Sequence, residues 1–284
     1  MLLVIRRLLQ LEQSLLALPW VLTAALLAVP SVAFLPVYLI VKMCLATMFA
    51  RSAGMAFNRF FDKDTDLQNP RTKHRLIPSG QLSWQVVLIF GLFSLALFIT
   101  TCFLINALVF FLSFVVAFLL VIYPLCKRFT TGCHFVLGLI EFFAPIMAFA
   151  AVTHTVRFEA IILGLIVFLW ISGLDLLYAI QDIIFDRVFS IYSLSASMGA
   201  RKVRRLAFCL HLGVLFGMVF LGYLMQLHSL YFIGVFLSMY FLFSQYRFIR
   251  ATAERLPKTF FVRNIAMSMI FFFFTLAERM LWNG

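Results

Sequence analysis

Apolar runs longer than about 18 residues recur from one end of this 284-residue chain to the other. A run of that length is what a helix needs to cross a bilayer. Lipid offers a backbone no hydrogen-bond partners, so such runs must become helices that satisfy their own N–H and C=O groups. Composition agrees: 64% of the residues are hydrophobic and 12% are charged, against roughly half and a quarter in a soluble domain. The fold expected is all-α and polytopic, one integral-membrane domain over residues 1–284.

The runs predict spans at 14–30, 36–61, 84–104, 106–125, 133–152, 159–181, 206–226, 229–248 and 260–281, about nine in all. The basic start at Arg6 and Arg7 followed by apolar residues imitates a signal peptide, but Glu12 interrupts it and further spans follow. A retained first helix is the expectation. Cys44, Cys102, Cys126, Cys133 and Cys209 form no CxxC pair and lie in or beside apolar segments, where they read as small hydrophobes.

Basic residues set the orientation. Arg6 and Arg7 precede the first span; Lys63, Arg71, Lys73 and Arg75 follow the second; Lys127 and Arg128 follow the fourth. Arg187, Arg201, Lys202, Arg204 and Arg205 follow the sixth, and Arg247, Arg250, Arg255, Lys258 and Arg263 the eighth. With about nine spans all fall on one side, which should be cytoplasmic; the other side keeps little more than Lys42, Arg157 and Arg279. The net charge of +12 is then mostly topology plus attraction to anionic headgroups. Nucleic-acid binding is a poor reading of it. The expected location is a bacterial-type inner membrane.

All six aspartates sit in two clusters: Asp62, Asp64 and Asp66, then Asp175, Asp182 and Asp186. Both clusters lie at cytoplasmic span ends, where ionisable groups are costly and usually functional. On a helix Asn58, Asp62 and Asp66 share a face within about 80°, and so do Asp175, Tyr178, Asp182 and Asp186. Asp64 falls off the first stripe and reads as solvated surface. Arg51 continues that stripe one level deeper. Two facing carboxylate ladders repel unless cations lie between them. Hard oxygen ligands without His or Cys suit Mg²⁺, and the nearby bases suit a polyphosphate. The residues therefore suggest a Mg²⁺–diphosphate site, and in so apolar a chain an isoprenoid diphosphate. The histidines (His74, His134, His154, His211 and His228) are dispersed and receive no catalytic role. Glu141, inside the fifth span, is an intramembrane acid with no evident partner in the sequence.

These residues resemble the UbiA superfamily of intramembrane aromatic prenyltransferases. "NRFFDKDTD" (Asn58 to Asp66) matches a first motif N-x-x-x-D-x-x-x-D, followed by "NPRT…R…PSG" at 69–80. "DLLYAIQDIIFD" (Asp175 to Asp186) matches a second, and "YPLCK" (Tyr123 to Lys127) a third, Y-x-x-x-K. Arg59 departs from the pattern, standing where many relatives carry a second acid. The resemblance implies nine helices around a central cavity and Mg²⁺-dependent transfer of a polyprenyl group from its diphosphate to an aromatic acid. A 4-hydroxybenzoate acceptor implies ubiquinone biosynthesis; a dihydroxynaphthoate acceptor for menaquinone is the alternative. An ion-coupled transporter is the rival from another class, but it should show an internal repeat and mid-membrane broken helices.

The resemblance further implies two Mg²⁺ ions, one on Asn58, Asp62 and Asp66 and one on Asp182 and Asp186. Arg51, Arg71, Lys73, Arg75 and Lys127 are the candidate diphosphate ligands. Tyr123 and Tyr178 are candidates to stabilise an allylic cation through their ring faces, and Asp175 to position or deprotonate the phenol.

Overall fold

The computed structural model describes residues 11–249 and 258–282. Arg6, Arg7, Arg250 and Arg255 lie outside them. The long helices are α1 (Leu11–Ala28), α2 (Val37–Phe61), α4 (Trp84–Phe103), α5 (Ala107–Cys126), α6 (Cys133–Thr153), α7 (Phe158–Tyr178), α10 (Ala200–Leu224), α11 (Ser229–Ser244) and α12 (Lys258–Trp282). Short helices α3 (Lys63–Gln68), α8 (Ile183–Val188) and α9 (Leu194–Met198) fill the connections. Among the described residues, eight segments are long and apolar enough to cross a membrane, and α1 contributes a shorter apolar helix. About nine spans, as expected, make this an integral membrane protein.

Local chemistry places the ends. Ser83 caps α4 by accepting from Val86 N, and Asn106 caps α5 by accepting from Val109 N at 2.9 Å, each satisfying an orphan donor of the first turn. Asn106 also donates to Ala150 O at 2.9 Å, tying that turn to α6. At the other end of the chain Glu278 of α12 is fully buried and accepts from the backbone N–H groups of His228 and Tyr231. It supplies α11 with an N-terminal partner from another helix.

Chain neighbours are spatial neighbours. The order α2–α4–α5–α6–α7–α10–α11–α12 runs around a ring, and α1 closes it by packing on α12 and α2 and also on α6. The α6–α7 contact is close because it uses glycine: a Cβ on Gly164 would meet Phe142 O at 2.8 Å. Small residues let membrane helices approach this closely. Trp20, Trp170 and Phe271 meet where α1, α7 and α12 converge, with ring centroids 5.4 and 5.2 Å apart.

The two acid segments differ in backbone. Asp62 ends α2 and α3 begins at Lys63, yet the i to i−4 bonds run straight through: Asp62 N to Asn58 O at 3.1 Å and Asp66 N to Asp62 O at 2.7 Å. The first ladder is therefore continuous. The second is not one α-helix. It tightens into a 3₁₀ turn at Ala179–Asp182 before α8 resumes, which turns Asp182 and Asp186 relative to Asp175.

Candidate active site

A cavity of ≈ 280 Å³ opens among α1, α2, α4, α5, α6 and α7. Most of its wall is apolar, from side chains such as Phe98, Val116, Leu120 and Met147. One end is polar and is formed by Asn58, Arg75, Tyr123, Asp175 and Tyr178. The acid clusters gather around that end.

Three ion pairs engage the acid clusters, two of them between elements far apart in the chain. Arg71 grips Asp182 in a fork, Nε to Oδ1 at 2.9 Å and Nη2 to Oδ2 at 2.6 Å. Its third nitrogen donates to the Tyr178 hydroxyl at 3.0 Å, and its guanidinium lies 5.4 Å from that ring's centroid. Asn69 holds this loop: its Oδ1 accepts from Arg71 N, and its amide donates to Asp182 Oδ1. Arg75 Nη1 donates to both oxygens of Asp66, at 2.6 and 2.8 Å. Lys127, just past α5, pairs with Asp62. Burial pushes the Asp62 carboxyl above its usual range, while the Lys127 ammonium pulls it back.

Asp62, Asp66 and Asp182 are each paired with one of the protein's own bases. Among the described residues no three acidic, His or Cys side chains are drawn together as an ion cage. The donors still suit Mg²⁺ by chemistry. Asn58, Asp62, Asp66, Asp182 and Asp186 offer oxygens only, and Asp62, Asp66 and Asp186 are buried. Opposing bases also suit a site that must hold a polyanion and its counter-ions together.

Two candidates, Lys73 and Arg51, sit apart from this group, as does Asp64, which the sequence reads as surface. Lys73 is exposed and stands outside the cavity wall. Asp64 is exposed and pairs with its neighbour Lys63, as its place off the stripe suggests. Arg51 lines the cavity two turns deeper than Asn58, about 10 Å along α2, where it donates to Glu141 Oε1 at 3.1 Å.

Sequence reasoning gave no role to His134, yet its Nδ1 lies 2.7 Å from Asp175 Oδ2. Glu141 had no visible partner, and Arg51, ninety residues earlier, supplies one. A signal existed for both: seven residues separate His134 from Glu141, so they share one face of α6.

A model of the UbiA prenyltransferase family matches residues 17–276. The chain belongs to that family. A 4-hydroxybenzoate octaprenyltransferase of Francisella tularensis subsp. novicida is 32% identical over 233 residues, covering 79% of this chain and 78% of the relative. One from Nitrosospira multiformis is 34% identical over 206 residues, covering 72% and 70%. In structure the chain is similar to an apo UbiA homolog from Aeropyrum pernix K1, with a TM-score of 0.81, 23% identity and coverage of 92% and 95%. A UbiA homolog from Archaeoglobus fulgidus bound to GPP and Mg²⁺ gives a TM-score of 0.74 at 14% identity, covering 96% and 98%. UbiA membership makes the chain a prenyltransferase and sets the transporter reading aside.

Proposed function

We propose that this UbiA protein transfers a polyprenyl group from a polyprenyl diphosphate to a hydroxylated aromatic acid of the 4-hydroxybenzoate type, on the cytoplasmic face of a bacterial inner membrane. The observation that carries the reading is the juxtaposition of crossed acid–base pairs with the polar end of a long apolar cavity. A diphosphate belongs with the former and a prenyl chain with the latter. The names of the curated relatives support it.

Arg71, Arg75 and Lys127 hold the diphosphate oxygens once the substrate competes for them, in contacts that charge makes strong. Asn58, Asp62, Asp66, Asp182 and Asp186 are the residues that would hold Mg²⁺, two ions in our reading. When bound, it neutralises the diphosphate and improves it as a leaving group. The allylic C–O bond breaks with its electron pair on the diphosphate. The carbocation is held under the rings of Tyr123 and Tyr178, whose faces favour a cation. The aromatic carbon ortho to the phenolic oxygen forms the new C–C bond, and the ring loses one proton. Asp175, at the cavity wall, accepts that proton or orients the phenol. The apolar walls seat the chain and exclude water from the cation.

Purified protein offered 4-hydroxybenzoate and dihydroxynaphthoate with long prenyl diphosphates should yield a prenylated 4-hydroxybenzoate by mass analysis. Product from the naphthoate alone would replace the acceptor and keep the chemistry.

A further inference from the structure

Five charged side chains line the cavity: Arg51, Arg59, Arg75, Glu141 and Asp175. Arg51 is engaged with Glu141, Arg75 with Asp66 and Asp175 with His134. Arg59 is not engaged. It is 7% exposed, and among the described residues no hydrogen bond or ion pair holds its guanidinium. The acids that its own helix offers are taken. Asp62, three residues on, pairs with Lys127. Asp66, seven residues on and nearly in line with Arg59 on the helix face, accepts twice from Arg75. No helix end compensates the charge either, because the backbone bonds from Asp62 N to Asn58 O and from Asp66 N to Asp62 O carry the helix past this point. The charged side chains whose fields reach Arg59 are Arg75, Asp66 and Asp62, all at the polar end of the cavity.

We propose that Arg59 is a diphosphate-binding residue of this chain, one that holds the substrate's diphosphate without help from Mg²⁺. The inference rests on the transferase reading above, which supplies the diphosphate. A buried guanidinium without a counter-charge destabilises its surroundings, and an arriving anion relieves it. Arg59 and Arg75 are also like charges at one end of one cavity, and they repel unless an anion lies between them. Arg71, Arg75 and Lys127 must each release a carboxylate before they grip a phosphate oxygen. Arg59 has no carboxylate to release, so its N–H donors are free for the forked contact that phosphate oxygens accept. Depth separates it from Arg51, which lies two turns further in and is held by Glu141. Arg59 is also the position where the first motif departs from its pattern, with a base in place of an acid. Less of the diphosphate's charge is then left for the metal to offset. Substrate binding should therefore depend less on Mg²⁺ than turnover does.

The test measures equilibrium binding of farnesyl diphosphate and of farnesol to the detergent-solubilised full chain, in EDTA and in saturating Mg²⁺. Arg59→Gln and Arg59→Met should lose about tenfold or more of the diphosphate affinity in EDTA, the scale of one charged hydrogen-bonding group, and a smaller factor in Mg²⁺. Their affinity for farnesol should stay within about twofold of wild type. Arg59→Lys keeps the charge without the fork and should fall between them and wild type. Without ligand, Arg59→Met should melt no lower than wild type, because it removes an uncompensated buried charge. A diphosphate affinity in EDTA within about twofold of wild type in both neutral variants overturns the proposal. So does an equal loss for farnesol, or a lower melting temperature, either of which marks a structural arginine. Binding needs no turnover, so a failure of the transferase reading shows separately, as no prenylated aromatic acid from a wild type that binds in the expected way.

Discussion

His134 Nδ1 lies 2.7 Å from Asp175 Oδ2, joining the first turn of α6 to the last turn of α7 at the polar end of the cavity. His134 is buried, and its Nε2 meets no hydrogen-bond partner among the described residues. The bond to Asp175 orients that carboxylate toward the cavity's polar end.

His134→Phe is therefore expected to lower kcat by about 10–100-fold, part of the roughly 10²–10⁴-fold that a positioned acid–base group contributes, with KM for the prenyl diphosphate unchanged. His134→Asn, which can still donate from the Nδ1 position, should recover most of the loss. Steady-state kinetics on both variants check it; equal defects in the two would count against a positioning role.

Arg71 and Lys73 stood together as candidate diphosphate ligands, but their surroundings separate them. Arg71 forks onto Asp182 and reaches Tyr178, whereas Lys73 faces outward. Arg71→Ala should cost about 100-fold in kcat/KM, and Arg71→Lys should rescue little, because a point charge cannot reproduce the fork. Lys73→Ala should stay within about threefold of wild type.

Much of this was legible in the chain. The apolar runs placed the spans because length and hydropathy suffice for a helix in lipid. The spacing from Asn58 to Asp66 described its ladder because the helix there continues through Asp62. The second ladder was less readable: a 3₁₀ turn at Ala179–Asp182 has no periodic signature distinct from a helix. Pairings were not readable at all. Arg51 with Glu141 and Arg71 with Asp182 depend on which helices face each other across the ring, and no local pattern encodes that. Arg51's seven-residue spacing from Asn58 put it on the right stripe, but only the α2–α6 geometry shows that it faces Glu141.

The pairing of Lys127 with Asp62 makes a stability cycle informative. Asp62 is buried, so Lys127→Met leaves a carboxylate without its main compensating charge. A loss of about 3–5 kcal/mol is the usual cost of breaking a buried pair from one side, and Lys127's partial exposure puts the expected loss at or below about 3. Adding Asp62→Asn should recover at least half of it. Thermal melts of the four proteins in detergent without Mg²⁺ or substrate measure the coupling.

The most direct measurement is Mg²⁺-dependent transfer of a labelled polyprenyl group to 4-hydroxybenzoate in isolated membranes. It compares the wild type with the Asp62→Ala, Asp182→Ala double variant at matched expression. The expected result is labelled product from the wild type that disappears on chelation, and at least about a 1,000-fold loss in the variant, on the order of 4 kcal/mol of transition-state stabilisation. Full activity in the double variant would contradict the site described here.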